Sequence, residues 1–372
     1  MSIWLKQKST RPILPGPQPE GGKVLDVPSI AGTGRSRIGY LVGSDLIDQI
    51  EFDPDKDVVV LGSTDIARLR VNKPLDFARI QVTKGYYRQS YRFNLSKFDV
   101  LLNQVTDADQ HPRVLATMTR MLERYGGRVI NRPEAVLRTT REQVAQRLQG
   151  LPGARIPKVV RLRTNKEGAV RAAISAAGIG FPVIARTAGV HDGKVIGVFR
   201  DLESLLPKLS AKQDHYLTEF VEFASADGLY RKYRVFFLGD RWIVRHMIVS
   251  DRWNVHMADR ARVMLDRPGL REEERQVLAN PVERLGSQVC AALLDIQRIL
   301  GLDFFGVDFG ITSTGELLLF EANASMNFFP FSARPEFAYV ETCLPPLQRA
   351  FEQLLGLDPL AGLTVPLANR AS

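Results

Sequence analysis

Two carboxylates and an amide in the last quarter of the chain are spaced for work on a cation. In Gly306-Val-Asp308-Phe-Gly-Ile-Thr-Ser-Thr-Gly-Glu-Leu-Leu-Leu-Phe-Glu321-Ala-Asn323, they fall at the ends of two apolar strands joined by a turn. A hairpin with only a structural role would place apolar residues at 308 and 321, because an unpaired buried carboxylate is costly or takes up a proton. Hard oxygen donors so placed can hold Mg²⁺ against the phosphates of a nucleotide.

Four further groups could serve the same chemistry, each with a plainer reading beside it. Arg186 closes the apolar run Phe181-Pro-Val-Ile-Ala-Arg186 and leads into Thr187-Ala-Gly-Val-His191-Asp-Gly-Lys-Val. A guanidinium there can grip phosphate oxygens bidentately while loop amides close over the rest, and an ordinary hairpin with a surface arginine has the same residues. His191 reads as a hydrogen-bonded loop residue, a phosphate contact or a substrate gate. The strand Tyr216-Leu-Thr-Glu219-Phe-Val221-Glu222 ends in acids that could take an adenine amino group or a ribose, or simply stay solvated. In Arg231-Lys-Tyr-Arg234, strand alternation sends Lys232 and Arg234 to one face and Arg231 and Tyr233 to the other. Two cations on one face neutralise a transferring phosphate, or they make a polar sheet face. His246, Trp253, Asn254, His256, Arg260 and Arg262 gather by sequence around a predicted loop, with no third ligand spaced for zinc.

The elements that must position these residues follow from the apolar periodicity. Residues up to about 50 are rich in Gly and Pro and read as an extended arm, and Gly34-x4-Gly39 followed by Tyr40 is not a P-loop. Val58–Gly62 and Phe98–Asn103 are predicted strands, with an amphipathic helix over Arg113–Tyr125 leading to Arg128–Asn131. A helix is expected around Arg141–Leu148, entered through Thr139 or Thr140. Strands at Val159–Leu162 and Phe181–Arg186 flank a helix over Lys166–Ala177. Strands at His215–Val221, Tyr233–Leu238 and Arg241–Val249 follow, the last two joined at Gly239-Asp240. A single long helix, Asn280–Leu300, should lead into the acidic hairpin.

Composition narrows the function class. At 372 residues, two or three packed subdomains are expected. A formal charge of +9 favours anionic ligands, but the charges are interspersed and no RNP-type or zinc-finger pattern occurs, so phosphate-bearing small molecules are preferred to nucleic acid. Two cysteines exclude a disulfide framework. The start of the chain lacks a signal-peptide run, and no stretch reaches the roughly 18 to 20 apolar residues of a membrane span, so the expectation is a cytoplasmic protein with no membrane partner.

Taken in chain order, the strand ending at Arg186 with its loop, Glu219-Phe-Val221, Arg234, Asp308 and Glu321-x-Asn323 resemble an ATP-grasp enzyme. The segments Phe98–Asp109 and Val129–Pro133 are similar to the domain junction in the branch holding glutathione synthetase and the RimK-type carboxylate-amine ligases. The resemblance covers about residues 57–355 and implies an α/β, more fully α+β, fold in which two halves clamp ATP behind a preceding α/β subdomain. The expected division is an arm over 1–50, the preceding subdomain over 51–133, a lid over 134–220, a large subdomain with the metal site over 221–358, and a tail over 359–372.

By this resemblance Asp308, Glu321 and Asn323 hold Mg²⁺, with Mn²⁺ as an alternative ion, and Arg141 and Arg186 replace the two phosphate lysines of the family pattern. Glu219 and Val221 line the adenine cleft, with His191 in the loop above. Arg234 is the catalytic cation at the γ-phosphate or acyl phosphate. Lys232 stands where related ligases carry an acid, which leaves the ribose to Glu222 or Asp227. His246, Asn254 and Arg260 are substrate-side candidates. The implied activity activates a carboxylate as an acyl phosphate and joins it to an amine, both small molecules or one of them a peptide, in a chain that the resemblance allows to be a homodimer. The alternatives are a phosphotransferase on the same scaffold, a peptide-modifying ligase that uses the N-terminal arm for docking, and a nucleotide-binding module without turnover.

Overall fold

The computed structural model describes residues 23–25, 37–46, 66–69, 77–83, 85–88, 91–189 and 195–356. A four-stranded parallel sheet comes first, ordered Phe77–Thr83, Ile38–Ser44, Val100–Asn103, Arg128–Ile130. Ile38–Ser44 is buried at every position, as a strand covered on both faces must be. This corrects the expected arm over 1–50, because the parallel sheet already includes residue 38. The strand was hidden by Gly39 and Gly43, which read as turn residues. They are close-approach positions, where an added Cβ would come within 2.5 Å of Leu101 and 2.3 Å of the Val82 carbonyl. The predicted strand Val58–Gly62 and the tail over 359–372 lie outside the described residues. The helix Pro112–Leu122 buries Val114, Leu115, Met118 and Leu122 along one stripe, as its periodicity predicts.

Asn131 joins this sheet to the rest of the molecule. Its backbone is left-handed at φ 54°, which Asn tolerates better than most residues. Its amide donates to the Phe304 carbonyl at 2.6 Å and accepts from the N–H groups of Asp303 and Phe304 at 3.0 and 2.9 Å. The start of the Phe304–Ile311 strand, which carries Asp308, is thereby tied to the end of the parallel sheet.

Two antiparallel sheets follow. The smaller is ordered Gly197–Phe199, Val183–Thr187, His215–Glu219, Val159–Leu162, and packs its own core of Val170, Ile174, Val183, Ala185 and Leu217 under the helix Glu167–Ala176. The larger is ordered Arg241–Ser250, Tyr230–Leu238, Phe304–Ile311, Leu317–Asn323, with the short Ala154–Arg155 added in parallel. Behind it the helix Ser287–Leu300 buries Val289, Ala292, Leu293, Ile296 and Leu300. The single helix expected over 280–300 is two, Pro281–Leu285 and Ser287–Leu300, parted at Gly286 with φ 82°. Phe237 stacks on Phe305 at 4.7 Å, while Phe236 stacks on Phe328 at 3.7 Å. No helix among the described residues is long and apolar enough to cross a membrane.

Candidate active site

Strand register assembles the centre. His246 pairs with Arg234, Arg234 with Asp308, and Asp308 with Glu321, so four side chains cross one face of the larger sheet in a row. Bulges after Arg234 and Asp308 fall within this row, where such irregularities re-aim side chains. The Arg234 guanidinium donates to both oxygens of Asp308, from Nε at 2.6 Å and Nη2 at 2.7 Å. Lys232 Nζ lies 3.7 Å from Asp308 Oδ2, on the face that strand alternation predicts, while Arg231 turns away to Glu273. Burial pulls the Lys232 ammonium below its ordinary range, with Asp308 opposing and Arg234 adding to the shift.

Glu321 is held from two sides. Arg141 Nη2 lies 2.9 Å from its Oε1 and the Asn323 amide donates to the same oxygen at 2.8 Å, while Arg141 Nη1 donates to the Phe320 carbonyl. Asp308 and Asn323 are both buried, at 5 and 7 % exposure. Two carboxylates on paired strands and an amide oxygen are a fitting donor set for a hard divalent ion whose remaining positions go to phosphate oxygens and water. The described residues hold no cluster of three or more His, Cys, Asp or Glu that could hold a metal ion. The guanidinium groups of Arg234 and Arg141 supply the positive charge that the carboxylates require.

A cleft opens over this row between the two antiparallel sheets, lined among others by Arg186, Glu219, Val221, Lys232, Asn254 and Phe320. Arg186 points into it from the Val183–Thr187 strand and makes no hydrogen bond or ion pair among the described residues. Burial, with Arg141 close by, pushes its pKa down to about 10. Such a group is a ready partner for an anion. Glu219 is braced by Arg155 at 2.5 Å and by the Lys158 N–H at 3.2 Å. Phe220 and Trp253 meet edge to face at 5.6 Å on the cleft wall.

The remaining candidates divide. His246 is in the row, within the strand predicted over Arg241–Val249, and Asn254 is on the cleft wall. Arg260 is not brought to the cleft. It is buried against Glu274, with Nη1 at 2.9 Å and Nη2 on the other oxygen, and Glu274 also accepts from Tyr339 at 2.7 Å. Arg262 pairs with Asp251 and Asp259. Glu222 accepts from the N–H groups of Phe223 and Ala224, and Asp227 pairs with Arg231, which holds its carboxyl down at about 2; neither lines the cleft. His191 lies outside the described residues.

A second, smaller cavity shares the Arg141, Arg186 and Glu321 wall and extends to Asp109 and Tyr216. Tyr216 donates to Asp109 at 2.9 Å and Arg161 pairs with it at 2.9 Å, while burial pushes the carboxyl up. Sequence reasoning left these residues unassigned. The signal was the place of Asp107 and Asp109 just beyond the carboxyl end of a parallel strand, where ligands of α/β sheets gather.

No family model matches the chain. The D-Ala:D-Ser ligase from Enterococcus faecalis has a similar fold, with a TM-score of 0.50 at 15% identity, over 87% of this chain and 99% of that one. The architecture is therefore the ATP-grasp fold that the order of the motifs resembles. By sequence, β-citrylglutamate synthase B of Danio rerio is 26% identical over 219 residues, which are 58% of this chain and 49% of that protein. N-acetylaspartylglutamate synthase A of Mus musculus is 24% identical over 245 residues, 63% of this chain and 57% of that protein. The chain thus spans about half the length of the curated relatives it matches.

Proposed function

We propose that the chain is an ATP- and Mg²⁺-dependent ligase that activates a carboxylate as an acyl phosphate and joins it to an amine. The observation that carries this reading is Arg186, a half-buried guanidinium without a protein partner among the described residues, facing a row that ends in two carboxylates. The relatives named as synthases of glutamate conjugates, and the fold shared with a ligase of two amino acids, support small amino-acid-like substrates.

Asp308, Glu321 and Asn323 would hold the metal, which when bound neutralises the phosphates and helps to align them. Arg186 and Arg141 hold the phosphates by charge-assisted hydrogen bonds, and Glu219 and Val221 border the adenine. Arg234, released from Asp308, stabilises the charge on the transferring phosphoryl group. Glu222 and Asp227 remain the ribose candidates only if their loop rearranges. In this reading the parallel sheet, from residue 38 to about 133, is the preceding subdomain, with the lid over 134–220 and the large subdomain over 221–358. The carboxylate oxygen attacks the γ-phosphorus and ADP leaves; the amine nitrogen then attacks the acyl carbon, phosphate leaves and the amine loses its proton.

The test is a panel of amino acids, dipeptides and small carboxylates scored for ADP, followed by mass spectrometry of the product. ADP and an amide formed only when acid and amine are both present support ligation, and Glu321→Gln should abolish ADP formation. A stable phosphorylated product would instead establish the phosphotransferase.

A further inference from the structure

His246 is only 3 % exposed, yet neither of its ring nitrogens meets a hydrogen-bond partner among the described residues. Buried polar groups in folded proteins are nearly all paired, so an orphaned imidazole asks for a partner that arrives in another state. Its place in the row says which. It stands beside Arg234 on the same sheet face, and Arg234 in turn holds both oxygens of Asp308. Directly paired residues of neighbouring strands have Cβ atoms about 5 Å apart, within reach of an arginine side chain. Burial, then the charges of Arg234, Arg245, Arg260 and Lys232, keep the imidazole neutral, so one nitrogen retains a lone pair.

Arg234 spans both oxygens of Asp308 and so competes with a divalent ion for that carboxylate. Resting on the ligase reading, we infer that His246 is a positioning residue for Arg234, the second seat of its guanidinium when metal and nucleotide load. Arg234 then exchanges Asp308 for phosphate oxygens on one edge and the His246 lone pair on the other. The guanidinium donates and the imidazole accepts, and no proton changes hands. Without a nucleotide no phosphate oxygens compensate Arg234 for leaving Asp308, so the metal alone competes poorly with the ion pair. A lone water on the imidazole is the rival account, and it links His246 to neither metal nor nucleotide.

The test follows free Mn²⁺ by electron paramagnetic resonance in the full chain, with and without AMP-PNP. The wild type should bind Mn²⁺ weakly alone and tightly with AMP-PNP. His246→Leu should weaken the nucleotide-dependent binding about tenfold, the value of one charge-assisted hydrogen bond, and His246→Asn, which keeps an acceptor, should recover most of it. AMP, which lacks the outer phosphates, should bind all three proteins alike and so reports an intact cleft. Should His246→Leu fail to bind AMP, His246→Phe, closer in shape to imidazole, takes its place with the same outcomes. An apolar variant within about twofold of wild type, or an Asn variant as impaired as the apolar one, overturns the assignment. A wild type that binds no AMP-PNP overturns the ligase reading as well.

Discussion

Arg186→Met should make the protein more stable and worse at its task. The guanidinium has no hydrogen bond or ion pair among the described residues, and burial lowers its pKa to about 10 from its ordinary value. At about 1.4 kcal/mol per pKa unit this corresponds to about 3 kcal/mol, which solvent on the open side of the cleft cuts to about 1 to 2 kcal/mol. The sign follows from linkage. A cation whose folded pKa is depressed destabilises the fold throughout the range below that pKa, where folded and unfolded chains both carry the charge, and the penalty fades only as pH rises through the folded pKa to the unfolded one. At pH 7 the methionine variant therefore gains about 1 to 2 kcal/mol, seen as a higher urea midpoint without ligand. It also loses a bidentate grip on phosphate, about 3 kcal/mol or over a hundredfold in affinity for AMP-PNP by calorimetric titration. An arginine placed for packing alone would make the variant less stable and leave binding untouched. A variant that is less stable, or that binds AMP-PNP as wild type does, would refute the reasoning.

Three further expectations concern the frame of the site. Glu274→Gln leaves Arg260 buried without a counter-charge and should lower unfolding free energy by about 3 to 5 kcal/mol in urea, with AMP-PNP affinity unchanged where the fold persists. Asn131→Ala removes the side-chain bonds to Asp303 and Phe304 and strains the left-handed backbone, for about 2 to 4 kcal/mol, whereas Asn131→Gly should recover the strain component; chemical denaturation of both variants separates the two. His246 has a folded pKa well below 6.5, so its contribution to stability is full above about pH 6.5 and is lost as pH falls, because the unfolded chain binds the proton first. Burial sets most of that shift, and Arg234 and Lys232 from the adjacent strand, Arg245 beside it and Arg260 from the following segment add to it. His246→Leu should flatten melting temperature against pH between about 6.5 and 5.

The meeting of Arg234, Asp308 and Glu321 on one sheet face was legible in the sequence because strand alternation and the hairpin fix it with few alternatives. Lys232 and Arg234 had to share a face, and Asp308 and Glu321 had to meet across the turn. The Ile38–Ser44 strand was illegible because its two glycines serve close packing and mimic loop composition. Arg260 misled for a related reason. A cation near substrate-side residues in sequence was assigned to the cleft, but its partner Glu274 comes from a helix whose acidic run gave no sign that one acid turns inward. His246 falls in a strand that the sequence predicts, but its orphaned nitrogens depend on the packing of two strands and three arginines that no local pattern reports.

The path of the carboxylate oxygen separates acyl-phosphate activation from any other route to the amide. With an acid and amine pair identified by ADP release, the carboxylate is labelled with ¹⁸O and the released phosphate is analysed by mass spectrometry. Activation through an acyl phosphate predicts one ¹⁸O in the phosphate for each amide formed from fully labelled acid, because the carboxylate oxygen that attacked phosphorus leaves with it. Phosphate free of label, with amide still formed, would contradict the mechanism assigned to this site.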